Sequence, residues 1–175
     1  MFVDSHCHLD FPELASDLPA KLDAMRAASV THALCISVDL PDWPRVHALA
    51  TGHANLHATV GTHPDYPDTV EPDVATLVEL AGRPKVVAIG ETGLDYYRLT
   101  GRSVQDMAWQ RERFRVHIRA AIATGLPLVV ADRVPRRLAP AERSALENLA
   151  SLAMARLESR RDAPPGVDPL AAAQR

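Results

Sequence analysis

A chain of 175 residues is long enough for one domain with a sizeable core, yet short of the roughly 250 of a complete eight-stranded α/β barrel. Its 47% apolar and 23% charged content fits a soluble globular protein, and a formal net charge of -3 excludes a broad attraction to nucleic acid, so any polyanion needs a local site. Two cysteines, Cys7 and Cys35, are too few for a disulfide framework and point to a reducing, cytoplasmic setting; with no basic start before an apolar run and no stretch near about 18 apolar residues, neither signal peptide nor membrane span is expected.

In chain order, Met1-Phe2-Val3 reads as a first strand running into Asp4-Ser5-His6-Cys7-His8-Leu9-Asp10. Phe11 to Ser16 is expected to be a loop, and Leu18 to Ala28 a helix through the spacing of Leu18, Leu22, Met25 and Ala28, with Pro19 in its first turn. Ala33 to Val38 is a continuous apolar run of the kind buried on both faces of a parallel sheet. A second helix from Asp42 or Pro44 to Thr51 leads to a third strand, His57 to Val60, ending in Gly61-Thr62-His63-Pro64. Val74 to Ala81 reads as a helix, Lys85 to Ile89 as a fourth strand, and Gly90 to Tyr97 as the loop at its end. Gln105 to Thr124 is a long helix expected to turn Trp109, Phe114 and Ile118 inward, capped by Gly125 before a fifth strand at Leu128-Val129-Val130. Strands alternating with helices at this rhythm predict parallel β-α units of barrel type, about five of them and so an incomplete barrel, over residues 1–130.

From Ala131 the composition changes. Residues 131–175 contain no His, Cys, Ile, Thr, Lys or aromatic residue but are rich in Ala and Arg. No strand is legible there; 139–161 reads as one helix with an apolar stripe of Leu146, Leu149, Ala153 and Leu157, and the end from Pro164 reads as disordered. The arginines suit a solvated helix face better than a nucleic-acid patch.

In parallel β-α units the chemistry gathers at the carboxyl ends of the strands, where His6, His8, His63 and Glu91 all fall. His6 and His8, two apart on a strand, can aim at one point and suit a divalent ion, with Asp4 or Asp10 orienting a ring; two polar residues at an exposed strand end would look the same. Glu91, between two glycines after a purely apolar strand, is expected to stand exposed at the sheet's mouth as a bridging ligand for one or two metal ions, or else as a solvated loop residue. His63 is a candidate for phosphate contact or proton transfer, or orders its loop, and Arg98 and Arg102 are placed to meet phosphate. His32, His47, His53, His57 and His117 read as structural, and Asp95 is left undecided.

Met1 to Asp10 (MFVDSHCHLD), Gly61 to Pro64 (GTHP), Ala88 to Tyr97 (AIGETGLDYY) and the helix from Gln110 together resemble the TatD family of metal-dependent deoxyribonucleases, relatives of the amidohydrolase barrels. The resemblance covers about residues 1–130. It implies a TIM-barrel fold, a divalent-metal site (magnesium, manganese or zinc) with His6, His8 and Glu91 as ligands, and phosphodiester hydrolysis in DNA from an end. The family's pattern then breaks: strand five normally runs into a ligand His within His-Thr-Arg, whereas here Val130 runs into Ala131-Asp132-Arg133, and no His follows His117. A shifted reading frame or premature end would produce such a change, and reading the neighbouring DNA in the other frames tests it. Three functions follow from these residues: a metal-dependent hydrolase of DNA, a non-catalytic remnant with a weakened metal site that self-associates through its open sheet edge, or another amidohydrolase-type hydrolase acting on carbon.

Overall fold

The computed structural model describes residues 1–97, 99 and 101–129. The chain divides into two units, Met1–Ala131 and Asp132–Arg175, and every described residue belongs to the first. Arg98, Val130, the family's strand-five ligand position and the tail helix expected over 139–161 lie outside the described residues.

Four strands, β1 (Phe2–Cys7), β2 (Val30–Cys35), β3 (Leu56–Val60) and β4 (Val86–Ile89), form a wholly parallel sheet in sequential order. Between them run α1 (Pro12–Ala15), α2 (Leu18–Ala27), α3 (Trp43–Gly52) and α4 (Val74–Ala81), and after β4 a 3-10 turn at Gln105–Met107 leads into α5 (Ala108–Thr124). The β-α alternation and all four strands agree with the incomplete barrel expected from the sequence. Where the sequence predicts a fifth strand, the described residues form a single parallel bridge of Leu128 to Ile89: the Ile89 N–H donates to the Pro127 carbonyl and the Val129 N–H to that of Ile89. With every strand running the same way, all their carboxyl ends reach one rim.

Two apolar clusters hold the helices to the sheet. In one, Ala33, Cys35, Leu56 and Ala58 pack with Leu9, Val46 and Ala50, and α2 lays Leu18, Leu22 and Met25 against them. In the other, Val60, Val86 and Ile89 pack with Trp43, Leu77 and Ala120. The Trp43 indole N–H donates to the Thr59 carbonyl at 3.2 Å, fixing the start of α3 over β3. α4 opens on Asp73, whose carboxylate accepts from both the Thr76 N–H (2.9 Å) and its hydroxyl (2.8 Å). α5 closes on Gly125 in the left-handed conformation, with φ of 64°.

Several boundaries differ from those read in the sequence. Pro12–Ala15 is a helical turn rather than loop. β4 starts at Val86, because Lys85 has φ of 67° and cannot be extended. β2 ends at Cys35, because the Ser37 N–H leaves the backbone ladder for the Thr59 hydroxyl at 2.9 Å.

α5 departs most. Its fully buried positions are Gln110, Arg113, His117, Ala120 and Thr124, whereas Trp109, Phe114 and Ile118 are only half-buried. The stripe has the expected helical spacing, but it is polar at Gln110, Arg113 and His117, because these face loop backbone whose N–H and C=O groups need partners.

β1 is the least buried strand, with Phe2 66% and Val3 63% exposed, and among the described residues it pairs with β2 alone. No helix among the described residues is long and apolar enough to cross a membrane.

Candidate metal centre

The carboxyl rim is tight because glycine lets backbones meet there. A Cβ on Gly61 would lie 2.6 Å from the Gly90 Cα, and one on Gly90, whose φ is 137°, would lie 2.7 Å from the Val129 oxygen. Ser37 ties three strand ends together: its hydroxyl donates to the Gly61 carbonyl at 2.9 Å and its own carbonyl accepts from the Glu91 N–H at 3.0 Å. Glu91 is thereby set at a fixed point over the sheet, behind a cis Gly90–Glu91 peptide.

One Glu91 oxygen lies 3.5 Å from His6 Nε2. The His6 and His8 rings meet edge to face with centroids 5.2 Å apart, and donor atoms of His6, His8 and Glu91 all fall within 4.8 Å of one another. Donors bound at about 2.0 to 2.2 Å to a common ion stand no more than roughly 4.4 Å apart, so the three fit one divalent cation after a small side-chain adjustment. The donor set suits it chemically, with two imidazole nitrogens and one carboxylate.

His8 Nδ1 lies 3.2 Å from the Ile36 carbonyl. A carbonyl only accepts, so the proton sits on Nδ1 and the Nε2 lone pair is left as the ligand atom. Phe11 stacks on the same ring at 4.7 Å and restricts its swing. The two aspartates named from the sequence are engaged elsewhere: Asp4 accepts the backbone N–H of His6 at 3.0 Å, and buried Asp10 pairs with Arg45 at 3.2 Å. Glu91 is also more sheltered than expected, its side chain 13% exposed against 34% for His6.

His63 lies outside this group of three. Its Nδ1 accepts from the Asp65 N–H at 3.0 Å, which puts the proton of the neutral ring on Nε2, and the ring meets Tyr66 edge to face. α5 holds the loop that carries it. The Arg113 guanidinium donates to the carbonyls of His63 and Tyr66, both at 2.9 Å, and pairs with Glu71. The Gln110 amide donates to Pro64 and Asp95 carbonyls and accepts from the Asp95 N–H, tying the loop after β3 to the loop after β4. Sequence reasoning misses Ser37, Ile36 and this clamp, although polar residues at 110, 113 and 117 repeat with helical spacing.

His117, fully buried, accepts from the Thr62 N–H at 2.9 Å through Nε2 and donates from Nδ1 to the Arg113 carbonyl at 2.8 Å. Burial drives its pKa down from 6.5 to about 4. Because the folded state resists a proton that the unfolded chain takes up, this stability is complete above pH 6.5 and is lost as pH falls toward 4. The loss is about 3 kcal/mol. Urea unfolding at pH 7.5 and 4.5 measures it, and His117→Gln is expected to remove most of this pH dependence while lowering stability at pH 7.5.

A family model described as TatD related DNase matches residues 3–156. The chain is 34% identical over 134 residues to YabD of Bacillus subtilis (strain 168), a metal-dependent hydrolase by name, covering 76% of this chain and 51% of that protein. YcfH of Escherichia coli (strain K12), named in the same way, is 35% identical over 137 residues, with 77% and 50% covered. The crystal structure of YjjV, a TatD homologue from Escherichia coli K12, superposes with a TM-score of 0.65 at 26% identity, over 85% of this chain and 56% of that one. The chain thus spans about half the length of the curated relatives it matches. The family match over most of the chain and relatives named as metal-dependent hydrolases agree: the chain belongs to the TatD family.

Proposed function

We propose that the protein is a metal-dependent phosphodiesterase acting on DNA from an end, with His6, His8 and Glu91 holding the ion. The convergence on one point of two imidazoles at the end of β1 and a carboxylate just past β4 carries this reading, and the family's description as DNase supports the substrate. A divalent ion, magnesium, manganese or zinc and one or two in number, supplies Lewis-acid polarisation of a phosphoryl oxygen and acidification of water when bound. The chain's own residues do the rest. Ser37 and Ile36 fix Glu91 and His8 before substrate arrives, so little ordering cost falls on binding. His63, protonated on Nε2 in its neutral form, is the proton donor toward a phosphate or leaving oxygen.

A second reading is favoured by one observation, that β1 is exposed and among the described residues pairs with β2 alone: metal binding without turnover, with self-association through the β1 edge. Monodisperse protein given magnesium, manganese or zinc and an end-labelled oligonucleotide separates the two. Cleavage that disappears in His6→Ala and Glu91→Ala is the expected result. Stoichiometric metal uptake without cleavage selects the second reading, and hydrolysis of an amide or lactone with DNA left intact overturns the substrate assignment.

A further inference from the structure

Cys7 and Cys35 are direct partners across β1 and β2. Neighbouring strands lie about 4.8 Å apart, within the 4.4 to 6.8 Å that separates the Cα atoms of a disulfide. Both side chains leave the sheet on the same face, since Cys35 belongs to the apolar cluster under α2 and α3 and Cys7 packs against it. The Cys7 sulfur lies 3.3 Å from the Leu34 carbonyl. Cys35 is fully buried whereas Cys7 is partly accessible, and the chain has no third cysteine to compete.

We propose that Cys7 and Cys35 are a redox-active pair that closes to a disulfide on exposure to a hydroperoxide. Hydrogen peroxide oxidises the accessible Cys7 sulfur to a sulfenic acid: its O–O bond breaks, one oxygen stays on sulfur and the other leaves as water. The Cys35 sulfur then attacks the Cys7 sulfur; an S–S bond forms, the S–O bond breaks, and the hydroxyl leaves as a second water with the Cys35 proton. The two thiols lose two electrons and two protons, and the peroxide is reduced to two waters. Cys7 alternates along the strand with His6 and His8, so the thiol pair lies on the face opposite their imidazoles. The bond fastens to β2 the exposed strand that carries His6 and ends beside His8. This inference stands apart from the metal and substrate readings, because it needs neither.

The test is peptide mapping of the full chain, reduced, freed of reductant and titrated with hydrogen peroxide. The expected product is a Cys7–Cys35 linked peptide lacking two hydrogens, formed within single chains and fully reversed by a thiol reductant. In Cys35→Ser, Cys7 is expected to accumulate as a sulfenic acid trapped by dimedone. The proposal is overturned if wild-type Cys7 proceeds to sulfinic or sulfonic acid without linkage, if the link forms only between chains, or if both thiols survive a large peroxide excess. Mapping of the wild-type chain decides the matter even if the serine variant fails to fold.

Discussion

Replacing Glu91 by alanine is expected to weaken divalent-ion binding by about 100-fold or more, exceeding the 10- to 100-fold typical of losing a group that merely supports a ligand. The reason is charge as well as coordination number. Glu91 brings the formal negative charge to the group of three, and at 13% exposure its attraction for a cation is screened less than it would be in open water. Without it two neutral imidazoles remain, a set that holds an ion with no charge compensation. Glu91→Gln preserves the shape and one oxygen but not the charge, so it should fall close to the alanine variant; near-wild-type binding by Glu91→Gln would show that charge is not what the site supplies. His6→Ala removes the nitrogen 3.5 Å from the same carboxylate and should weaken binding by a similar factor. Titration calorimetry with manganese or zinc measures all three, with Glu79→Ala, an exposed α4 side chain paired with Arg83, as the unchanged control. Equal affinity in Glu91→Ala and wild type would place the ion elsewhere.

Arg113→Ala is expected to cost about 3 kcal/mol of folding stability, because truncating one partner of a buried charge network leaves the other groups unsatisfied. The guanidinium is almost wholly buried and serves three acceptors at once: the carbonyls of His63 and Tyr66 and the carboxylate of Glu71. It also lies over the Trp109 ring, 4.7 Å from its centre. Lysine cannot reproduce a planar fork that reaches several acceptors, so Arg113→Lys should recover only part of the loss. Glu71→Gln should cost less than Arg113→Ala, since Glu71 is half exposed and water can replace its partner. Urea unfolding ranks the three variants. If Glu71→Gln proves as damaging as Arg113→Ala, the ion pair rather than the two carbonyls holds the loop after β3.

The parts of this architecture that are legible in the sequence are those governed by short-range pattern. The apolar runs from Ala33 and from Lys85, separated by helical spacing, announce parallel β-α units, and Val74–Ala81 has the bounds its spacing predicts. His6 and His8 announce themselves because alternation along a strand puts them together whatever lies elsewhere. That Glu91 joins them requires only that parallel strands end on one rim. What stays hidden depends on contacts between distant segments. Nothing near Ser37 indicates that it will bridge Gly61 and Glu91, and nothing in His8 says that a carbonyl at 36, rather than Asp4 or Asp10, will set its tautomer. Spacing alone assigns the inward face of α5 to its aromatic and aliphatic residues, because helices usually bury those. Here the surface beneath is loop backbone, and Gln110, Arg113 and His117 meet it.

Two of the three candidate donors, His6 and His8, stand on or just past β1, whose outer residues Phe2 and Val3 are open to solvent, while the third stands behind the buried strand β4. Fraying of the first segment and release of a cation are therefore a single equilibrium seen from two sides. His6, His8 and Glu91 would hold a bound ion together, so its binding free energy would add to the docking of β1, and every kilocalorie that loosens β1 would be subtracted from affinity.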